Sequence, residues 1–347
     1  MFYTTNGDVF AGINTHHGYV PFLKEELSDA EQIYIIKGTP GSGKSTLMKR
    51  LLADAKAKGE NCMAIRCSSD PDSLDGVYFC DRKAGIADGT PPHVLDIEMP
   101  VLRDKLVDII QYCDRDILRR NSEKLKMLLA KKKEYYETAY SCLYALGVME
   151  KAMADIAEEC FDTEKIKRSA LLFVKKRKFE KGVMRRLPMR CVCGKGIVST
   201  DPENCTDILK IADSYGTSSL YLKYVCRYLE EKNAACVVIP SPVDDKTPDA
   251  VFFPAERLLL TTDRYIKDEC VTVTDMLRFA DREKLKNAKS RLGLYKKLSS
   301  DLLDDAVKEM ASASLAHADA ERIYSFAYDF GKLDAVYEDL AEKILGA

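Results

Sequence analysis

The sequence predicts an α/β protein of two tandem halves, each a small sheet followed by a long helical extension, the second a degenerate copy of the first. Three observations carry this expectation. A complete phosphate-binding loop lies at residues 38–46, between a strand-like and a helix-like segment. An eroded copy of that loop recurs 173 residues downstream, at 214–220 against 41–47. In each half, apolar residues at helical spacing dominate the stretch after the α/β part.

The first strand is Ile33-Tyr34-Ile35-Ile36, a short apolar run of the kind buried in parallel sheets. The loop then reads Gly38, Thr39, Pro40, Gly41, Ser42, Gly43, Lys44, Ser45 and Thr46, which fits GxxxxGK[ST]. Leu47, Leu51 and Leu52 recur at helical spacing among lysines and arginines, an amphipathic helix. Strand, glycine loop and helix together make a phosphate cradle. Glycines at 38, 41 and 43 permit close backbone approach, and the helix start adds unpaired amides and the positive dipole end. All nine loop residues are therefore candidate nucleotide contacts. Lys44 is expected to bridge the β- and γ-phosphates, and the Ser45 hydroxyl to ligate Mg²⁺. Each half thus reads as a P-loop NTPase-like α/β domain, the second degenerate.

The internal copy extends beyond the loop. Residues 73–79 match 247–253 at a shift of 174, Asp108-Ile109-Ile110 matches Asp275-Met276-Leu277 at 167, and Gly18-Tyr19-Val20 matches Gly196-Ile197-Val198 at 178. These shifts drift as loop insertions would make them drift, so one unit is used twice. In the ungapped loop alignment Lys44 becomes Thr217, and Gly38 and Gly41 become Ile211 and Ser214. The second loop is expected to bind nucleotide weakly or not at all. Asp88 closes the run Ala84-Gly85-Ile86-Ala87, where a Walker B carboxylate belongs, and its counterpart is Thr262, or Asp263 with a one-residue slip. Lys44 and Asp88 are the catalytic candidates, with Ser45 and Asp88 as the metal ligands. Asp75 survives as Asp249, which favours a structural turn or cap. Asp70 and Asp72 are the fallback acids. Gly89 follows Asp88 where many ATPases carry a glutamate, so no water-orienting residue is identified.

Strands are expected near 33–37, 62–66, 77–80 and 84–88, then helix from Val101 to about Phe173. The second half ends in one helix marked by Leu285, Leu292, Leu298, Leu302, Val307 and Met310, and another from Ile323 to Ile344. Domain boundaries fall at 1–180 and 181–347, with helical parts at about 100–175 and 283–347. The helical arms could pack together, or project as candidate docking surfaces for a protein partner.

Eleven Lys or Arg residues and one acid, Glu180, lie between Lys165 and Arg190. With Phe173 and Phe179 the only aromatics there, a linker balancing acidic surface is favoured over a nucleic-acid contact. A third expectation has Arg185 or Arg186 reach the first loop as an arginine finger. Thr90 and His93, past the Asp88 strand, are placed near the γ-phosphate, His93 being a sensor candidate that also reads as an ordinary loop histidine. Net charge is −2, which provides no global pull towards nucleic acid or membrane. The first twenty residues lack a signal-peptide pattern, and no apolar stretch reaches membrane-spanning length, so a cytoplasmic location is expected. Twelve cysteines occur without a CxxC pair, Cys191 and Cys193 being the nearest two. With four histidines in all, reduced cysteines are favoured over a zinc site.

The motifs at 38–46, at 67–77 (CSSDPDSLDGV) and at 87–96 (ADGTPPHVLD), in this order and spacing, resemble a family of uncharacterised bacterial ATPase-like proteins with two tandem P-loop-type halves. The resemblance implies ATP binding in a cytoplasmic bacterial protein. Relatives of that kind often keep a Gly-Lys-Ser/Thr loop in the second half, from which Thr217 departs. The expected function is a Mg-ATP-dependent ATPase with one active site. A P-loop kinase acting on a small acceptor and a non-hydrolysing ATP-dependent switch or scaffold are the alternatives.

Overall fold

A computed structural model describes residues 7–91, 95–200, 202, 204–262 and 271–346. In the first half, strands β1 (Val9–Phe10), β2 (Gly12–Thr15) and β3 (Gly18–Pro21) precede a short helix α1 (Leu23–Glu26). Strand β4 (Gln32–Lys37) and helix α2 (Lys44–Ala57) follow, then β5 (Cys62–Arg66), β6 (Leu74–Phe79), β7 (Ala84–Asp88) and β8 (Asp104–Asp108). Helices α3 (Arg115–Arg120), α4 (Ser122–Cys160) and α5 (Thr163–Lys175) complete it. The second half repeats the order: β9 (Met184–Arg186), β10 (Arg190–Cys193), β11 (Gly196–Ser199), β12 (Asp207–Ala212), α6 (Ser218–Glu231), β13 (Cys236–Ser241), β14 (Asp244–Phe253), β15 (Leu258–Thr262), β16 (Val271–Asp275), α7 (Arg282–Ser325) and α8 (Phe330–Leu345).

Two six-stranded sheets result, ordered β1-β5-β6-β7-β4-β8 and β9-β13-β14-β15-β12-β16. In each, one strand alone runs against its neighbours, β6 in the first and β14 in the second. Beside each sheet lies an antiparallel hairpin, β2–β3 or β10–β11. Gly18 and Gly196 take similar positive φ at the two hairpin turns, 105° and 96°. The duplication read from the sequence is thus a duplication of architecture. Strand β4, flanked by β7 and β8, is buried on both faces, as its apolar run requires.

Two expectations change. The stretch from Val101 is expected as helix, yet residues 104–108 form an edge strand paired with β4, and the first α-helix of that region starts at Arg115. Asp104-Lys105-Leu106-Val107-Asp108 has too few apolar residues to signal a strand locally; pairing with β4 decides it. The helix read from Ile323 to Ile344 is in fact two pieces. Ile323 lies at the end of the 44-residue α7, and α8 restarts at Phe330 with Asp329 as N-cap, its carboxylate accepting the Gly331 N–H at 3.2 Å.

At 1.5 Å rise per residue, α4 and α7 are about 58 and 66 Å long, and they pack against each other antiparallel. Leu125 and Leu128 meet Ala320 at one end, and Ala139, Leu143 and Leu146 meet Ala306 and Met310 farther along. Small residues on α7 at 306, 313, 316 and 320 let the helices approach closely. The two arms are therefore each other's partner. Their short continuations are exchanged between halves. Helix α5 packs Ile166, Ala170, Phe173 and Val174 onto Tyr221, Leu222 and Val225 of α6. Helix α8 packs Leu333, Leu340, Ile344 and Leu345 onto Leu47, Leu51 and Ala55 of α2. Burying four such α8 side chains contributes on the order of 6–12 kcal/mol before ordering entropy. A third cluster joins Ile33, Ile35 and Ala87 of the first sheet to Val237, Ile239 and Phe252 of the second.

The basic segment wraps the second half. Lys165 and Lys167 pair within α5 or with its cap, Arg177 pairs with Glu256 at 3.0 Å, and Arg190 is held by Asp249. Arg185 lies 3.9 Å from Asp29, and neither it nor Arg186 lines the cleft at the first loop, so the arginine-finger expectation is not met. No described helix is long and apolar enough to cross a membrane.

Candidate functional site

The loop at 38–43 leaves the carboxyl end of β4 and enters α2, with Gly41 and Gly43 at φ of 68° and 86°. A side chain at these angles is strained, so glycine is required by the backbone path itself. Lys44 opens the helix and is 8% exposed. Its ammonium donates to the carbonyls of Thr39 (2.7 Å) and Gly38 (3.1 Å) and lies 3.5 Å from Asp88 Oδ2. Asp88 ends β7, directly beside β4 in parallel register with Ile36. Its other oxygen accepts the Thr90 N–H at 2.8 Å, and the Thr90 hydroxyl donates to the Gly38 carbonyl at 2.9 Å. Lys37 donates to the Gly89 carbonyl, tying the two strand ends together. The Ser45 hydroxyl accepts the Leu74 N–H at 3.0 Å.

Loop residues 40–46 line one cleft of about 440 Å³ with Leu74, Asp88 and Thr90, whereas Gly38 and Thr39, also expected to contact nucleotide, are not part of its lining. Sequence reading placed Lys44, Ser45 and Asp88 there, and the fold brings all three together. Thr90 lines the cleft as well, whereas His93 lies outside the described residues. Asp75 departs from its expected role. It sits inside β6, buried, at the position that continues the Gly76–Ala87 pairing to Asp88, and it lines the cleft. It is neither a turn nor a cap. Asp70 also lines the cleft, but it and Asp72 are engaged by Lys195 at 3.4 and 2.5 Å. The Ser45 hydroxyl and the Asp88 carboxylate are hard oxygen donors on one wall. They suit Mg²⁺, which takes one or two carboxylates and completes its shell with phosphate and water.

Three lining residues had no signal in the sequence: Lys132 from α4, and His317 and Glu321 from α7. The Lys132 ammonium lies 3.1 Å from His317 Nδ1, and His317 Nε2 lies 3.5 Å from Glu321. Burial, reinforced by Lys132 and Lys44, pushes the His317 imidazole down to about 4 and so keeps it neutral at pH 7. Burial raises the Glu321 carboxyl, while the Gly41 amide facing it and the two lysines pull it back.

The second half holds the corresponding cleft, about 410 Å³, lined by Ser218, Lys223, Asp249 and Thr262 with Glu150 from α4. Burial along α6 repeats that of α2 at a shift of 174, not 173, so Ser218 rather than Thr217 stands opposite Lys44. The connecting loop spans 213–217 against 38–43, one residue fewer. Asp213 fills it: its carboxylate accepts the N–H groups of Tyr215 (2.9 Å) and Ser218 (2.7 Å) and the Thr217 hydroxyl (3.0 Å). Ile211 pairs with Thr262 as Ile36 pairs with Asp88, so Thr262 is the Asp88 counterpart. Its hydroxyl donates to Asp249 at 3.1 Å, and Asp249 is ion-paired with buried Arg190.

Elsewhere, the eleven described cysteines are unbridged. Among the described residues, His16, His17 and Asp244 form a trio with ligand-type atoms within 4.8 Å of one another. His17 is exposed, and the Asp244 oxygens already accept the Lys246 N–H (3.1 Å) and the Thr247 hydroxyl (2.5 Å). No family model, curated protein or solved structure matches the chain.

Proposed function

We propose that the chain binds Mg-ATP at the first loop and hydrolyses it slowly, and that the second half is a P-loop-like unit without nucleotide. The observation carrying this reading is the convergence of Lys44, Ser45 and Asp88 in one cleft, at the junction of a glycine loop with a helix start. The position of Asp88 on the strand next to β4 supports a P-loop nucleotide-binding arrangement. The amides of the loop would cradle the β-phosphate, and the Lys44 ammonium would span the β- and γ-phosphates. Ser45 and Asp88 would hold Mg²⁺, which neutralises charge on the β- and γ-oxygens when bound. Hydrolysis adds water to the γ-phosphorus, breaks its bond to the bridging oxygen and yields ADP and phosphate. Titration of the intact chain with Mg-ATP, together with a phosphate-release assay, tests the reading. Lys44→Ala is expected to abolish both. Equal binding by wild type and Lys44→Ala would refute it.

A further inference from the structure

The end of α7 and the turn into α8 lie across the first loop. Glu321 lines the same cleft as Gly41 and Lys44, and its carbonyl oxygen lies 2.5 Å from where a Cβ on Gly41 would stand. The Thr39 N–H donates to the Tyr328 hydroxyl at 3.3 Å, and Leu333 and Phe330 approach Gly43. In a GxxxxGK loop the backbone amides serve phosphate oxygens. A carboxylate resembles them, with two acceptor oxygens and a negative charge.

The second loop shows the same substitution made permanent. Asp213 places its carboxylate on the amides of its own loop. It is covalently part of the cradle and cannot leave. Glu321 belongs to another element, held there by α7 packing and by the half-buried His317 and Lys132 beside it.

We propose that Glu321 is a displaceable occupant of the phosphate cleft, so that nucleotide phosphate and the Glu321 carboxylate compete for the space beside the loop and Lys44. Binding then requires the end of α7 to withdraw, which couples the first site to the long α4–α7 pair. This rests on the first loop being a nucleotide site. Two like charges cannot share one cleft without a repulsion that the half-buried setting strengthens. Loss of the negative charge at 321 therefore favours the nucleotide.

Calorimetric titration of Mg-ATP into the full chain tests this, using wild type, Glu321→Gln, Glu321→Ala and Asp319→Asn. Asp319 is an α7 residue paired with Arg322 on the exposed side and is absent from the cleft lining. Glu321→Gln is near-isosteric, and a thermal melt of each variant verifies folding. The expected result is a dissociation constant lowered about 10-fold or more in both Glu321 variants, as loss of a charge-assisted competitor implies, and unchanged in Asp319→Asn. Wild-type amide exchange at residues 317–330 should also rise on adding Mg-ATP. If wild type binds in a Lys44-dependent way and both Glu321 variants bind equally or more weakly, the competition is refuted while the nucleotide reading stands. If no variant shows Lys44-dependent binding, both fall together.

Discussion

The two glycine loops occupy the same place in two sheets of the same order, and they differ in how their charges are settled. The first cleft gathers Lys44, Asp75 and Asp88, and Glu321 from a distant helix lines it beside Gly41. In the second, Ser218 and Thr262 stand where Lys44 and Asp88 stood, Arg190 neutralises Asp249, and Asp213 satisfies the loop amides from within. A buried charge or open amide costs free energy unless something compensates it. The second half supplies these compensations from its own residues. In the first, Lys44 and Asp88 lie 3.5 Å apart in a cleft that Asp75 and Glu321 also line. On the proposed reading, the difference between the halves is a coordinated change, not the erosion of one lysine.

The largest expected effect tests the self-sufficiency of the second cleft. Arg190→Ala strands the buried Asp249 carboxylate and should cost about 3–5 kcal/mol in denaturant unfolding. A cost below about 1 kcal/mol would show that the pair is not what settles that site. Next comes Lys44→Ala, for which we expect at least a 100-fold loss of Mg-ATP affinity, about 2.7 kcal/mol. Its converse, Ser218→Lys, should create no second site while Asp213 fills the loop; a second binding event in the titration would contradict that. Asp213→Ala removes a cap on two loop amides and should lower stability by about 1–2 kcal/mol, read from the melting midpoint. The smallest effect is on metal. Asp88→Ala should weaken the Mg²⁺ dependence of ATP binding roughly 10-fold, and an unaltered magnesium titration would move that role to Asp75.

Much of the first site was legible because its parts are close along the chain. Ile33–Ile36, the glycine loop, the α2 leucines and Asp88 lie within 56 residues, 33 to 88, and each carries a local signature. The duplication was legible as spaced similarity, although the ungapped alignment put Thr217 where the burial of α6 puts Ser218. Lys132, His317 and Glu321 were not legible. They are ordinary polar residues on long helices, and their only distinction is where antiparallel packing of α4 and α7 sets them down. Asp75 was misread because its survival as Asp249 looked structural. Asp249 persists with an arginine to neutralise it, and the position corresponding to Arg190 in the first half is Gly12, where the Tyr19 hydroxyl fills the space a Cβ would take.

By itself the sequence determined the glycine loop between strand and helix, the acid on the neighbouring strand and the twofold use of one α/β unit. These follow from short-range backbone geometry and from repetition, both of which are written locally. Tertiary structure alone decided that α5 and α8 change places, that β8 is a strand, and that a helix from the second half closes the first loop. The apolar faces of α5 and α8 are chemically alike, and hydrophobic burial has no direction of its own. Which sheet each covers is set by the paired length of α4 and α7, a property of the assembled chain.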